Sequence, residues 1–147
     1  MKLAMLGTGK IVQDALLALR EVPEITVDSV FARPQSREKA ERLAAEWQIP
    51  HVYTDMQALL ASDCDTVYVG LANHVHVPYA EMALRGGHDV IMEKPFAPCG
   101  SDVTAMRALA KKQGRLIIEA VTPFFLPNFA VIREALPKLG RIRAVQA

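Results

Sequence analysis

The chain opens with a short apolar run, Lys2 to Leu6 (KLAML), which leads directly into Gly7-Thr8-Gly9. Ile11 to Arg20 (IVQDALLALR) then reads as a helix. A buried strand, a glycine turn and a helix in that order leave few folds open. The strand end and the helix start meet at one point, where the helix's unpaired amides face outward. Such a point suits a pyrophosphate: Gly7 permits the sharp turn, and Gly9 lets the backbone approach the phosphates closely. The third glycine of G-x-G-x-x-G falls at Val12. Valine there is expected to hold helix and strand slightly further apart, while removing no phosphate-facing amide. Taken alone, the glycine pair also fits a plain strand-to-helix turn.

The rest of the chain repeats the alternation. Ile25 to Phe31 (ITVDSVF) reads as a strand rich in β-branched residues. Pro34 and Ser36 open a helix with Ala40, Leu43, Ala44 and Trp47 on one face, Trp47 anchoring it to the sheet. Ile49 to Tyr53, Thr66 to Val69, Asp89 to Met92 and Arg115 to Glu119 read as further strands. Between them lie a short helix capped by Asp55, a loop from Leu71 to His76, a helix from Pro78 to Arg85, and a helix from Asp102 to Gln113 capped by Ser101 and stopped by Gly114. Short connections with right-handed crossovers make this an α/β chain with a doubly wound parallel sheet, a Rossmann fold. Residues 122–147 differ: two prolines and two adjacent phenylalanines precede a helix near Asn128 to Leu136, and Arg141 to Ala147 alternates like the first strand of another sheet. The expected organisation is a nucleotide-binding domain over 1–121, then a linker helix and the start of an incomplete C-terminal α/β domain over 122–147.

Composition narrows the function classes. The formal net charge is +1, with no basic run or acidic tail, so nucleic acid and anionic membrane are poor partners. No apolar stretch reaches the roughly 20 residues of a membrane span, and the first apolar run is broken too early for a signal peptide. Cys64 and Cys99 are far apart and suggest neither a disulfide framework nor a metal site. A cytoplasmic setting follows as the default.

In a doubly wound sheet the ligand lies beyond the carboxyl ends of the strands. That rule gathers Gly7–Gly9, Ala32-Arg33, Ala72–His76 and Glu93–Pro95 into one crevice. An NAD site puts an acidic residue about 20 positions past the glycine motif. Here that position is Ala32, beside Arg33 and with Arg37 one helical turn on, while Asp28 comes too early. Arginine can pair with a 2′-phosphate, which points to NADP over NAD. Asn73 and His76 are placed to meet a nicotinamide ribose or a substrate. His74 reads as a polar loop residue, and His51 and His88 as surface or strand-edge residues. Glu93-Lys94-Pro95 is the sharpest feature: a lysine and a glutamate leaving a central strand are costly to bury without partners. A Glu93–Lys94 ion pair and a lysine awaiting a substrate oxygen are both open. Cys99, with no activating partner, reads as a small buried residue.

The glycine turn GTGKI, the segment ARPQSREKAERLAAEW, the loop LANHVH and above all EKPFAP before a helix resemble the glucose–fructose oxidoreductase, inositol dehydrogenase and rhizopine-catabolism (Gfo/Idh/MocA) family. The resemblance extends through the tail EAVTPFFLPNFAVIREALPKLGRIRAVQA. It implies a dehydrogenase that transfers hydride between NAD(P) and a sugar, polyol or related alcohol or carbonyl compound. It also implies a second domain that supplies the proton-transferring histidine. Gly7, Thr8, Gly9, Lys10 and Ile11 would then hold the pyrophosphate, and Ala32, Arg33 and Arg37 the adenosine ribose. Leu71, Ala72, Asn73 and His76 would line the nicotinamide side. Glu93, Lys94 and Pro95 would be the signature, with Lys94 catalytic at the substrate oxygen and a cis peptide expected before Pro95. Ala72 stands where the family has proline, which is expected to loosen that loop. An ordinary lysine stays protonated at neutral pH, so Lys94 alone is a poor proton acceptor and this stretch is expected to turn over little by itself. The alternative is a non-enzymatic NAD(P)-binding sensor on the same fold, which would have no need of Lys94. The apolar tail, with Val121, Phe124, Phe125, Leu126 and Phe129, is expected to drive self-association into a homo-oligomer.

Overall fold

Alternate side chains of the first strand, β1 (Lys2–Leu6), enter two different apolar layers: Leu3 and Met5 one, Ala4 and Leu6 the other. A strand buried on both faces must lie inside a sheet covered on both sides. The computed structural model, which describes residues 1–146, shows that arrangement. After β1 come α1 (Lys10–Leu19), β2 (Thr26–Phe31), α2 (Arg37–Trp47), β3 (His51–Tyr53), α3 (Met56–Leu60) and β4 (Thr66–Val69). They are followed by α4 (His76–Arg85), β5 (Asp89–Glu93), α5 (Gly100–Gln113), β6 (Ile117–Ala120) and α6 (Pro127–Ala135). The six strands pair in parallel in the order β3-β2-β1-β4-β5-β6. The order reverses between β1 and β4, the switch point where such sheets open a crevice.

One layer holds Val12, Leu16, Ala40, Leu43 and Ala44 from α1 and α2, packed on Leu3, Met5, Val30 and Tyr68. The other holds Ala80, Ala83, Leu84, Met106 and Ala110 from α4 and α5, packed on Leu6, Val67, Val69 and Met92. Trp47 is half buried in the first layer as expected, with the Arg20 guanidinium 4.4 Å above its ring. A bulge lets Leu3 pair with Val27 and Ala4 with Ser29, skipping Asp28. Asp28 thus lies within β2, short of its carboxyl end. No helix among the described residues is long and apolar enough to cross a membrane.

Several expectations are corrected. α4 starts at His76, after a 3-10 turn over Asn73–Val75, rather than at Pro78. Proline in a first turn removes an amide that would be unpaired anyway. α5 starts at Gly100 with Cys99 at its N-cap, so Ser101 lies inside the first turn and does not cap it. Cys99 is exposed, not buried, and its sulfur meets Ser101 Oγ at 2.9 Å and Asp102 Oδ2 at 3.1 Å. His88 is buried, its Nδ1 2.9 Å from the Cys64 carbonyl and its Nε2 3.1 Å from the Leu60 carbonyl. Arg141–Gln146 forms no strand and is exposed, and Ala147 lies outside the described residues. With no neighbouring strand among the described residues to complete a ladder, an alternating pattern gains nothing from extension.

Candidate dinucleotide site

The glycine turn has the conformation its sequence requires. Gly7 has φ +115°, and a Cβ there would lie 2.6 Å from the carbonyl oxygen of Gly70. No L side chain fits either condition. Gly9 is the N-cap of α1, with nothing within 4 Å of where a Cβ would stand. The opening amides of α1, at Lys10 and Ile11, find no acceptor among the described residues. Open space above Gly9 and unpartnered amides behind it fit the pyrophosphate of a dinucleotide. The Lys10 ammonium is paired with Asp14 on the exposed flank of α1, at 2.7 and 2.8 Å. Lys10 therefore offers its amide to the turn, while its charge is directed along the helix.

At the end of β2, Ala32 is buried and donates its amide to the Tyr53 carbonyl at 3.0 Å. Arg33 follows, exposed and without an ion pair among the described residues. It shares a narrow crevice of about 30 Å³ with Leu71, Ala72, His74, Val75 and Tyr79. The loops after β2 and β4 therefore meet at Arg33. Arg37 is engaged elsewhere, its Nε 2.7 Å from Glu41 Oε1 along α2. Sequence reasoning missed Tyr79, which packs against Phe31 with ring centroids 5.5 Å apart, and it set His74 aside. An aromatic three residues after the loop histidine was the available signal for Tyr79.

Ala72 stands where the resemblance leads one to expect proline. Its φ of −68° is the value a proline ring imposes, and it caps the 3-10 turn. Its amide donates to no group among the described residues. Ala72→Pro is therefore expected to stabilise the chain by about 0.5–1 kcal/mol, by restricting the unfolded state. Denaturant titration with unchanged slope checks this, and a lower midpoint would contradict it.

His76 is not in the crevice. It is fully buried beneath the loop, with Nδ1 3.0 Å from the Pro95 carbonyl and Nε2 2.9 Å from the Leu71 carbonyl. Both ring nitrogens are thus taken by backbone. The direct-ligand role is replaced by a clamp between the loops after β4 and β5. Asn73, by contrast, is exposed.

At the end of β5 the two charged residues part. Glu93 is buried and Lys94 exposed, and no ion pair joins them among the described residues. The Tyr68 hydroxyl donates to Glu93 Oε1 at 2.7 Å, and the Lys94 amide donates to Oε2 at 3.1 Å. Tyr68, which sequence reading left unassigned, is therefore the partner that makes burying Glu93 tolerable. The Lys94–Pro95 bond is cis, as expected. Glu119 on β6 accepts the Phe96 amide at 2.8 Å, holding the far side of the turn.

Burial, then the hydrogen bond to Glu93 and its charge, hold the Tyr68 hydroxyl well above the usual tyrosine range. In the unfolded chain that proton leaves near pH 10, whereas the folded chain retains it. The unfolded state then binds fewer protons, so stability falls as pH rises above about 10. Tyr68→Phe is expected to cost about 1.5–3 kcal/mol at neutral pH and to shed part of that alkaline dependence. Urea titrations of both proteins at neutral and alkaline pH check this, and parallel losses in the two would contradict it.

Residues 1–121 match the profile of the Gfo/Idh/MocA oxidoreductase family, described by its NAD-binding Rossmann fold. The chain belongs to this family. It is 33% identical over 147 residues to scyllo-inositol 2-dehydrogenase (NADP(+)) IolU of Bacillus subtilis, covering 99% of this chain and 44% of that protein. It is 32% identical to the oxidoreductase YgjR of Escherichia coli, over 98% of this chain and 44% of that one. In structure it resembles KijD10, a 3-ketoreductase from Actinomadura kijaniata in complex with NADP and TDP-benzene. That match has a TM-score of 0.86 and 26% identity, over 94% of this chain and 42% of KijD10. The chain thus spans less than half the length of these relatives.

Proposed function

We propose that this chain binds NADP(H) and serves as the coenzyme-holding part of an oxidoreductase acting on a sugar, polyol or related alcohol or carbonyl compound. The observation that carries this reading is the pair of amides at Lys10 and Ile11, without an acceptor among the described residues and opening beside Gly9 at the switch point of the sheet. Arg33, without an ion pair among the described residues and at the crevice shared with the β4 loop, suits a 2′-phosphate, and Ala32 offers no carboxylate to a ribose diol. Relatives named for NADP or solved with it agree with that choice. The dinucleotide would supply the hydride donor or acceptor. Asn73 and the exposed Lys94 amine would meet the substrate side, with Lys94 donating a hydrogen bond to the reacting oxygen and stabilising negative charge on it. Glu93 fixes the backbone from which Lys94 projects. Titration with NADPH and NADH tests the reading, and loss of both would end it.

Phe124, Phe125, Leu126, Val131 and Ile132 are exposed together around α6. We infer that this apolar face drives self-association, since patches of this kind rarely stay open to water. Light scattering is expected to show dimers or larger species at high concentration, and a monodisperse monomer would contradict it. The free thiols of Cys64 and Cys99 suit a reducing, cytoplasmic setting.

A further inference from the structure

The dinucleotide fingerprint asks for a third small residue where α1 packs on the sheet, and this chain has Val12 there. Val12 is fully buried, so its methyl groups need space that a glycine would not. That space lies just beyond the end of β4, at Gly70. A Cβ at Gly70 would stand 2.7 Å from Val12 Cγ2, 2.8 Å from Tyr68 Cε1 and 3.4 Å from the Leu6 carbonyl oxygen. Gly70 donates its amide to that same Leu6 oxygen at 3.0 Å. Its own carbonyl oxygen stands 2.6 Å from where a Cβ on Gly7 would lie. Gly7 and Gly70 directly follow β1 and β4, the neighbouring strands at which the strand order reverses. They touch at the base of the crevice.

We propose that Gly70 is a positioning residue for the dinucleotide, taking over in space the part that a third glycine plays in sequence. Three pieces of the site converge on it. Val12 sits in the first turn of α1 and sets where the Lys10 and Ile11 amides stand. Gly7 forms the turn beneath the phosphates. Tyr68 holds Glu93, from which Lys94 leaves the sheet. A methyl group at Gly70 must displace at least one of them. A buried valine is stiff about χ1, and the Tyr68 ring is tied at its hydroxyl, so neither gives way easily. This inference rests on the dinucleotide reading of the crevice.

The test compares Gly70→Ala, Val12→Ala and the double variant in the full chain, by thermal unfolding and by NADPH titration. Val12→Ala is expected to lower Tm in the wild-type background, by leaving a cavity, and to raise Tm in the Gly70→Ala background, by relieving the clash. Gly70→Ala is expected to weaken NADPH binding at least about tenfold, equivalent to about 1.4 kcal/mol, and adding Val12→Ala is expected to recover most of that loss. If Gly70→Ala does not fold, the double variant carries the measurement and is expected to fold and bind. Equal Tm losses from Val12→Ala in both backgrounds would overturn the proposal. So would wild-type NADPH affinity in Gly70→Ala, or a double variant that stays unfolded. Wild-type protein that binds neither NADPH nor NADH overturns the dinucleotide reading, and the proposal with it. Wild-type protein that binds NADPH but shows no reversal in Tm overturns the proposal alone.

Discussion

Gly7→Ala is expected to abolish dinucleotide binding and to destabilise the chain by about 2–6 kcal/mol. Two separate costs make up that figure. The backbone at Gly7 has φ +115°, a region that charges an L residue about 1–3 kcal/mol. The new Cβ would also lie 2.6 Å from the Gly70 carbonyl oxygen, a backbone atom that cannot swing aside, and overpacking of this kind costs a further 1–3 kcal/mol or so. Relief requires β1 and β4 to move apart at the switch point, which dismantles the turn that presents the Lys10 and Ile11 amides. Gly9→Ala is the control. Gly9 has ordinary extended backbone and nothing within 4 Å, so its substitution should leave stability within about 0.5 kcal/mol while placing a methyl group where the phosphates would lie. Urea unfolding and coenzyme titration of the two variants separate these effects. Equal destabilisation by both would contradict the assignment.

Arg33→Ala is expected to weaken NADPH about 10- to 100-fold and to leave NADH nearly unchanged. A charge-assisted hydrogen bond to a phosphate is worth about 1.5–3 kcal/mol, and about 1.4 kcal/mol is a factor of ten. Only NADPH carries the 2′-phosphate, so the loss is confined to one coenzyme. Arg37→Ala is expected to do less, because that guanidinium is already paired with Glu41. Equal loss of both coenzymes on replacing Arg33 would mean that it packs on the adenine instead.

The legible parts of this molecule were those governed by local rules. Lys2–Leu6, Thr66–Val69 and the αL stop at Gly114 could be read from apolar runs and a terminal glycine, and the parallel pairing follows from the alternation of strands with helices. The glycine turn and the EKP turn were also visible, since each needs a residue type that nothing else replaces. What could not be read were pairings between distant positions. Tyr68 and Glu93 are 25 residues apart and meet only because β4 and β5 are neighbours. His76 looked like a ligand because a loop histidine usually has a free nitrogen, yet the loops after β4 and β5 close over it from both sides. Arg141–Gln146 had the alternation of a strand but pairs with no strand among the described residues. Val12, expected to hold helix and strand apart, packs close against Gly70, just beyond the end of β4 and 58 positions away in sequence.

The most direct measurement is a calorimetric titration of the full chain with NADPH and with NADH at moderate ionic strength. Saturable one-to-one binding of both, with NADPH the tighter and its advantage removed by Arg33→Ala, is the expected result. Absence of binding by either coenzyme at millimolar concentration, in protein shown to be folded, would contradict the central claim that this crevice holds a dinucleotide.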